Sequence, residues 1–232
     1  MILLRSTLYF LWFITVSVMM HIAALPALLM PPAATLFAAR LWCKLLLWGL
    51  KVIGGLDYEV RGEVPKGGAL VAAKHMSMWD TLALYLLLHD ARFVLKKELL
   101  SIPFYGWFVK KAGMIAIDRA GHASALRKMA AAVKEAVAGG HAVVIFPEGT
   151  RKKPGAPPDY KPGVAALYTQ LGLPCVPVAL NSGRYWQGFT RKPGTIVIEF
   201  LPAIPPGLDR RQFMATLESR IETATAKLLA QP

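Results

Sequence analysis

The N-terminal part of the chain is dominated by apolar side chains. No formally charged residue lies between Arg5 and Arg40, and residues 6–25 are almost continuously apolar. About 20 helical residues, at ~1.5 Å rise per residue, reach ~30 Å, which is about the hydrocarbon thickness of a bilayer. This segment therefore predicts a membrane helix.

A second apolar stretch, residues 33–50, follows a short proline-rich interruption. Because it carries Arg40 and Lys44, we predict that it lies at the interface or re-enters the membrane instead of spanning it. A cleaved signal peptide would need a short apolar core and a small-residue cleavage site, whereas this run is long and resumes after the prolines. A buried helix of a soluble core is the other alternative. The pattern favours a retained anchor over both.

From residue 57 onward, short apolar runs alternate with stretches of helical period. This alternation favours an α/β fold, with a mostly parallel mixed sheet flanked by helices. We therefore divide the chain into an N-terminal membrane anchor of one or two helices, residues 1–56, and a globular domain, residues 57–232. The predicted strands are 69–73, 92–95, 114–117, 142–146, 175–180 and 195–201, and the predicted helices are 79–89, 103–111, 122–138, 163–171 and 209–230.

Composition narrows the class of partner. The formal net charge is +13 and apolar residues make up 55% of the chain. Together these values favour a surface of anionic lipids over nucleic acid, since a nucleic-acid-binding protein gains nothing from a long apolar run. We also find no block of interleaved basic and aromatic residues. The two cysteines, Cys43 and Cys175, lack metal-ligand neighbours and are predicted to be reduced, partly buried thiols.

Several common catalytic motifs are absent from the sequence. It contains no G-x-S-x-G elbow, no H-E-x-x-H, no phosphate-binding P-loop and no dinucleotide glycine fingerprint. These absences argue against the common hydrolase, zinc protease, nucleoside triphosphatase and dinucleotide-binding classes.

His75 and Asp80 are the first candidate pair, and they follow the predicted strand 69–73. Five positions on a regular helix rotate by ~500°, so the two side chains meet only when His75 lies in a loop and Asp80 in the first helical turn. A carboxylate beside an imidazole fixes its tautomer and suits it to be a general base. A structural alternative stays open, because Ser77 and Asp80 have the spacing of a capping box.

Two more polar clusters follow predicted strands. The first runs from Glu148 to Arg151 after strand 142–146, at the end of a strand where α/β sheets bind ligands. The Arg151 guanidinium suits bidentate phosphate binding, although the cluster is also compatible with a solvated turn. The second, Asp118 and Arg119, forms either a structural pair or a further phosphate contact.

Four blocks in this order resemble the glycerolipid acyltransferases, specifically the family of 1-acyl-sn-glycerol-3-phosphate acyltransferases. They are H-x-x-x-x-D at 75–80, G-x-x-x-I-D-R at 113–119, F-P-E-G-T-R at 146–151 and V-P-V at 176–178. The segments around residues 95–106 and 161–163 also look like those of the family. The resemblance covers roughly residues 57–205, and four blocks at suitable spacing make it specific.

The resemblance implies direct transfer of a fatty acyl group to the sn-2 hydroxyl of lysophosphatidic acid. In this scheme His75 takes the hydroxyl proton, Asp80 orients His75, and backbone amides near His75 or Gly149 stabilise the oxyanion. The residues that would bind the glycerol phosphate end of the substrate, or shape the pocket around it, are Arg119, Glu148, Gly149, Thr150, Arg151 and Lys96.

The same resemblance implies no cofactor and no metal. Acyl-CoA or acyl-carrier protein would be the co-substrate, and lysophosphatidic acid would be the acceptor. The expected partners are membrane lipids and, where it is the donor, acyl-carrier protein. Nucleic acid is not an expected partner. Since acyl thioesters are cytosolic, we expect the domain on the cytoplasmic side of a membrane, the inner membrane of a bacterium. Alternatives are the same chemistry on another lysolipid or on glycerol-3-phosphate, and an inactive phosphatidate-binding scaffold, which would need neither His75 nor Asp80.

Overall fold

The chain begins with two long antiparallel helices. The computed structural model describes residues 1–118 and 122–231. Helices α1 (Ile2–Ala23) and α2 (Pro32–Val52) are joined through a short 3₁₀ turn (Leu25–Leu28). Both are long and apolar enough to cross a membrane, by length and composition. The second helix, predicted from sequence to be interfacial or re-entrant, therefore meets the same criterion as the first.

A mixed sheet forms the centre of the rest of the chain. Among the described residues, seven strands pair in the order β1-β9-β6-β2-β5-β3-β4, and β7 and β8 form a separate small hairpin. Every pairing in the large sheet is parallel except that of β6 with β9. The strands are β1 (Leu56–Arg61), β2 (Ala69–Ala73), β3 (Arg92–Lys96), β4 (Ile115–Ile117), β5 (Ala142–Ile145), β6 (Cys175–Leu180), β7 (Trp186–Gln187), β8 (Thr190–Arg191) and β9 (Gly194–Phe200).

Helices cover the sheet and confirm the predicted α/β class. The longest of them, α8, begins with a capping box in which the Gln212 N–H donates to the Asp209 carboxylate at 2.8 Å. Asp209 is thus the helix cap that its position in the sequence predicts. The helices after the hairpin are α3 (Trp79–Leu87), α4 (Tyr105–Lys111), α5 (His122–Ala138), α6 (Gly163–Leu171), α7 (Ser182–Tyr185) and α8 (Arg210–Ala230).

Strand β2 shows how the layers are arranged. Its side chains alternate between two cores: Val71 and Ala73 pack with residues of α2 and α3, while Leu70 and Ala72 pack with residues of α5, α6 and α8. All four are fully buried. A central strand buried on both faces explains why residues 69–73 are apolar throughout instead of alternating with polar residues.

The N-terminal hairpin shares its core with the sheet. Tyr9, Leu46 and Leu50 are fully buried, in the same apolar cluster as Val71. Arg40 donates to the carbonyl oxygens at the end of α3, including that of Leu86 at 3.1 Å. The Arg40 guanidinium therefore points toward the protein, where it donates to carbonyl groups in the last turn of α3 that have no partner within that helix. The division at residue 56 marks a change in composition, while the packing continues across it.

Candidate active site

The loop between β2 and α3 brings the first candidate pair together. His75 Nδ1 lies 3.0 Å from Asp80 Oδ2. His75 precedes the helix and Asp80 lies in its first turn, which is the arrangement that the five-residue spacing requires. The imidazole also stacks on Phe146, with ring centroids 3.9 Å apart and planes 16° from parallel. Two contacts thus fix the ring, and the bond at Nδ1 leaves Nε2 to accept a proton.

Asp80 is fully buried and surrounded by donors. Its Oδ2 accepts from the backbone N–H groups of Met76 at 2.7 Å and Ser77 at 2.8 Å, and its Oδ1 accepts from the Ser77 hydroxyl at 3.1 Å. These bonds compensate for burial of the charge and fix the plane of the carboxylate. The Ser77 hydroxyl in turn accepts from the Trp79 N–H at 3.2 Å, so the helix start is capped as well.

Ser182, which the sequence did not suggest, completes this cluster. It is the first residue of α7, directly after β6, and its hydroxyl donates to Asp80 Oδ1 at 2.5 Å. It is fully buried and lies 2.9 Å from the Ser77 hydroxyl. The only available signal was its position just past a predicted strand. Its approach to Asp80 depends on the pairing of β6 with β2, which the local sequence does not reveal.

The structure places Glu148 differently from the expectation that it contacts the substrate phosphate end. Its side chain is buried, its Oε1 accepts from Lys74 Nζ at 2.8 Å, and its Oε2 accepts from the His75 N–H at 3.3 Å. Burial raises the pKa of Glu148, and Lys74 and the His75 N–H oppose that rise. Both carboxylate oxygens thus have partners within the protein, and one of them supports the His75 backbone.

Lys74 extends this network to the C-terminal helix. Its ammonium is 2% exposed and also donates to Glu222 of α8 at 2.7 Å. The Tyr160 hydroxyl donates to the same Glu222 oxygen at 2.9 Å. Lys74 and Glu222 were both missed from sequence, since residues 148 positions apart leave no local pattern that links them. The network links the candidate site, α8 and the loop that ends near Tyr160.

The remaining predicted residues of the second cluster lie on the turn after β5. Gly149 has a φ of +63°, a conformation that favours glycine, and its N–H donates to the Phe146 carbonyl at 2.9 Å. Thr150 and Arg151 follow on this turn and are exposed. The Lys152 N–H donates to the His75 carbonyl at 2.9 Å. Arg151 is therefore held next to the His75 loop while its guanidinium faces outward.

Lys96 and Arg119 belong to the neighbouring part of the sheet. Lys96 is exposed at the end of β3, and β5 lies between β3 and β2. Arg119 lies outside the described residues. The adjacent Asp118 accepts from Lys97 Nζ at 3.1 Å, in an exposed pair. Of these two basic residues, the structure therefore describes Lys96. It lies at the C-terminal end of β3, at the same end of the sheet as the His75 loop.

The backbone amides expected at the oxyanion are already bonded within the protein. The His75 N–H donates to Glu148, and the Gly149 N–H donates to Phe146. The amides of Met76 and Ser77 donate to Asp80. The expectation that amides near His75 or Gly149 stabilise the oxyanion stays a prediction, and these four N–H groups have partners within the protein.

Both cysteines are free and buried, as predicted. Burial raises the pKa of the Cys175 thiol to about 12, which keeps it protonated at neutral pH. Across residues 1–118 and 122–231, no group of three or more His, Cys, Asp or Glu side chains is placed to hold a metal ion.

Comparison with known proteins gives concordant matches. The family model described as Acyltransferase matches residues 57–181. The chain is 36% identical, over 84% of its own length and 77% of the relative's, to 1-acyl-sn-glycerol-3-phosphate acyltransferase of Pseudomonas aeruginosa. A protein of the same name from Limnanthes douglasii is 31% identical over 69% of this chain, which spans 57% of that relative.

The fold is also similar to a solved structure. The crystal structure of the 1-acyl-sn-glycerophosphate acyltransferase PlsC from Thermotoga maritima superimposes with a TM-score of 0.81. The match covers 100% of this chain and 99% of the other, at 20% sequence identity. At this level of identity the similarity supports the fold alone. It extends over the N-terminal hairpin as well as the sheet.

Proposed function

Because the chain belongs to the family of 1-acyl-sn-glycerol-3-phosphate acyltransferases, we propose that it transfers a fatty acyl group to the sn-2 hydroxyl of 1-acyl-sn-glycerol-3-phosphate. The donor is acyl-CoA or acyl-carrier protein, and the product is phosphatidic acid. The observation that carries the proposal is the 3.0 Å contact between His75 Nδ1 and the buried Asp80 carboxylate. This contact occupies Nδ1 and orients the ring so that Nε2 is the atom that can take a proton from the substrate.

The reaction proceeds in one transfer step without an acyl-enzyme. Nε2 of His75 accepts the proton of the substrate hydroxyl as that oxygen attacks the thioester carbonyl carbon. The carbon–sulfur bond then breaks, and the leaving sulfur takes the proton back from the imidazolium. Asp80 keeps the ring oriented and stabilises its charged form during the step. The buried, protonated Cys175 is unsuited to act as an intervening nucleophile.

Positive charge around His75 supports a phosphate-bearing substrate. Arg151 is exposed on the turn that is bonded to the His75 loop, and Lys96 is exposed at the end of β3. We assign both, with Arg119, to the substrate phosphate, and Gly149 and Thr150 to the shape of that pocket. From residue 74 to 161 the chain has 14 basic and 7 acidic residues. This excess also suits anionic lipids and the phosphates of the donor.

The proposal requires neither cofactor nor metal, because the base and the phosphate contacts are side chains of the protein. The two apolar helices suggest membrane association. We assign the protein to the inner membrane of a bacterium, in contact with its lipids and with the catalytic domain on the cytoplasmic side, where acyl thioesters and acyl-carrier protein are found. Anchoring keeps His75 beside the pool of membrane lysolipid.

A substrate panel tests this function. The protein purified in mild detergent is given lysophosphatidic acid, a lysophospholipid with a head group, or glycerol-3-phosphate, each with acyl-CoA and with acyl-carrier protein. Mass spectrometry follows the products. We expect phosphatidic acid from lysophosphatidic acid at a higher kcat/KM than any product from the other acceptors. Preference for another acceptor with both donors contradicts the acceptor assignment.

A further inference from the structure

An apolar surface next to the candidate site lies outside the two membrane helices. It consists of Ile102, Phe104 and Trp107, whose exposed fractions are 44%, 48% and 55%, and we name it the α4 apolar surface. Exposed large apolar side chains that lie together commonly mark a binding surface. Tryptophan and phenylalanine in particular are suited to the boundary between lipid head groups and hydrocarbon.

The backbone holds these side chains outward in a defined conformation. Phe104 has φ +62° and ψ −59°, and the Tyr105 N–H donates to the Pro103 carbonyl at 2.7 Å. These features define a γ-turn centred on Phe104, a strained conformation for a residue with a side chain. The Phe104 and Trp107 rings also meet edge-on, with centroids 5.2 Å apart. The surface is thus built by local structure.

Helix α4 is attached to the tip of the N-terminal hairpin. His21 of α1 contacts the rings of Tyr105 and Phe108, with centroids 6.4 Å and 5.6 Å away. Lys111 Nζ donates to the carbonyl oxygens of Leu28 and Met30, which lie in the turn between α1 and α2. Leu29 and Met30 at this tip are exposed as well, at 94% and 52%. The apolar exposure of the hairpin therefore adjoins the α4 apolar surface.

Basic side chains flank this surface along the chain. Lys96, Lys97 and Lys110 are exposed close to it in sequence, and Lys97 is paired with Asp118. Glu98 is the one acidic residue among positions 96–111. An apolar centre with a basic margin is complementary to an anionic bilayer, in which the apolar groups reach hydrocarbon and the cations meet lipid phosphates.

From this arrangement we propose that the α4 apolar surface inserts into the head-group boundary of an anionic phospholipid bilayer, as a membrane contact separate from α1 and α2. The contact adjoins the candidate site, because residues 97–111 follow the C-terminal end of β3, which lies at the same end of the parallel strands as the His75 loop. Together with the hairpin, which packs on the sheet, this second contact fixes the orientation of the catalytic domain against the membrane. This inference rests on the proposed membrane placement of the hairpin.

Single fluorescent labels test the contact. Trp107→Cys, Leu11→Cys on the exposed side of α1, and Lys66→Cys in the loop before β2, at the end of the sheet away from His75, each receive an NBD label. Wild type, whose cysteines are buried, controls for background labelling. The proteins are reconstituted in phosphatidylcholine–phosphatidylglycerol vesicles with nitroxide-labelled lipids. We expect blue-shifted emission and lipid quenching at position 107, and neither at position 66.

The three labels separate the two claims. Emission at position 107 that matches position 66, with no lipid quenching, overturns the inference, even when the label at position 11 is quenched and the hairpin is therefore in the membrane. An unquenched label at position 11 contradicts the membrane placement of the hairpin. In that case the label at position 107 still reports whether the α4 apolar surface itself contacts the bilayer.

Substitution of the surface gives a second readout. Phe104→Gly removes the ring while keeping a residue that adopts positive φ, and Trp107→Gln removes the indole. We expect the double variant to lose kcat/KM at least severalfold on lysophosphatidic acid in vesicles, and to match wild type on a short-chain, monomeric lysophosphatidate. Equal loss on both substrates, or on neither, contradicts a role in membrane contact.

Discussion

The Asp80 carboxylate is the residue on which the geometry of the site converges. It accepts hydrogen bonds from two backbone N–H groups and from the hydroxyls of Ser77 and Ser182, in addition to its contact with His75. Because it is fully buried, it has no solvent to replace a lost donor. The orientation of His75 therefore depends on buried residues around Asp80 as well as on Asp80 itself.

Ser182→Ala should weaken catalysis without stopping it. We expect kcat to fall by roughly tenfold, because a hydrogen bond to a charged group contributes about 1.5 kcal/mol or more. Ser77 still donates to the same oxygen, so the loss should be smaller than that of removing His75. Steady-state kinetics checks this, with Ser101→Ala, an exposed serine, as the control. Equal kcat in both variants would show that Ser182 does not help to position Asp80.

Arg151→Lys should impair binding of the phosphate lipid. The ammonium keeps the charge but lacks the planar fork of the guanidinium, so we expect the KM for lysophosphatidic acid to rise by roughly tenfold with a smaller change in kcat. Arg210→Lys, at the exposed start of α8, is the matched control. An unchanged KM would remove Arg151 from the phosphate site.

At this scale, sequence predicted the contact between His75 and Asp80 better than the residues that surround that pair. The His75–Asp80 spacing carries its own geometric requirement, so the pair could be found from local sequence. Ser182 and Lys74 have no such signal, because their roles arise from contacts between segments far apart in the chain. Glu148 was assigned to the phosphate because its block suggests a ligand-binding turn, and burial against Lys74 directs it inward instead.

Among the secondary-structure elements, helix α8 is connected to the candidate site by a pair of linked salt bridges. Glu222 on this helix bonds Lys74, which also bonds Glu148 beneath the His75 loop. Lys74 and Glu148 are both almost fully buried, while Glu222 keeps 27% of its side-chain surface exposed. The inner pair is thus expected to matter more for stability than the outer contact.

A comparison of two substitutions tests that order. Lys74→Met leaves the Glu148 carboxylate buried without its cation, which we expect to lower the free energy of unfolding by about 3–5 kcal/mol. Glu222→Gln keeps the inner pair and an acceptor for Lys74, so its cost should stay below about 1.5 kcal/mol. Chemical denaturation in detergent measures both. A larger cost for Glu222→Gln would mean that α8, and not the buried pair, stabilises the loop.

The elements themselves were largely predictable where the apolar pattern along the chain is strong. The ranges of β2, β6, α5 and α6 match the prediction, since their apolar patterns are strong. Strand β1 was missed because it lies at an edge of the sheet and alternates polar Asp57, Glu59 and Arg61 with other residues. The antiparallel pairing of β9 with β6 was also unpredictable, because it depends on a long-range choice of neighbour.

For the molecule as a whole, the hairpin and the sheet share one core. Leu46 of α2 is fully buried in the cluster that contains Val71 of β2, whereas Leu41 on the same helix is 37% exposed. From sequence the hairpin was predicted as an anchor, and its packing on the domain could not be inferred from apolar composition alone. The hairpin that we propose attaches the protein to a membrane therefore also contributes to the stability of the domain.

Matched truncations on α2 test that coupling. Leu46→Ala should lower the free energy of unfolding of the catalytic domain by about 2–5 kcal/mol, whereas Leu41→Ala should cost well under half of that. Thermal inactivation of acyl transfer in detergent reports on the domain directly. Equal effects of the two variants would indicate that the helices only tether the domain.

The most direct test of the account is acyl transfer by wild type and His75→Ala, followed as phosphatidic acid by mass spectrometry. Both proteins receive lysophosphatidic acid with acyl-CoA and, separately, with acyl-carrier protein, and matched thermal unfolding shows that the variant is folded. We predict product from wild type and a rate lower by about 10²–10⁴-fold in the variant, the range for loss of a general base. A folded His75→Ala protein that keeps more than a few per cent of the rate would contradict the assignment of His75 as the base.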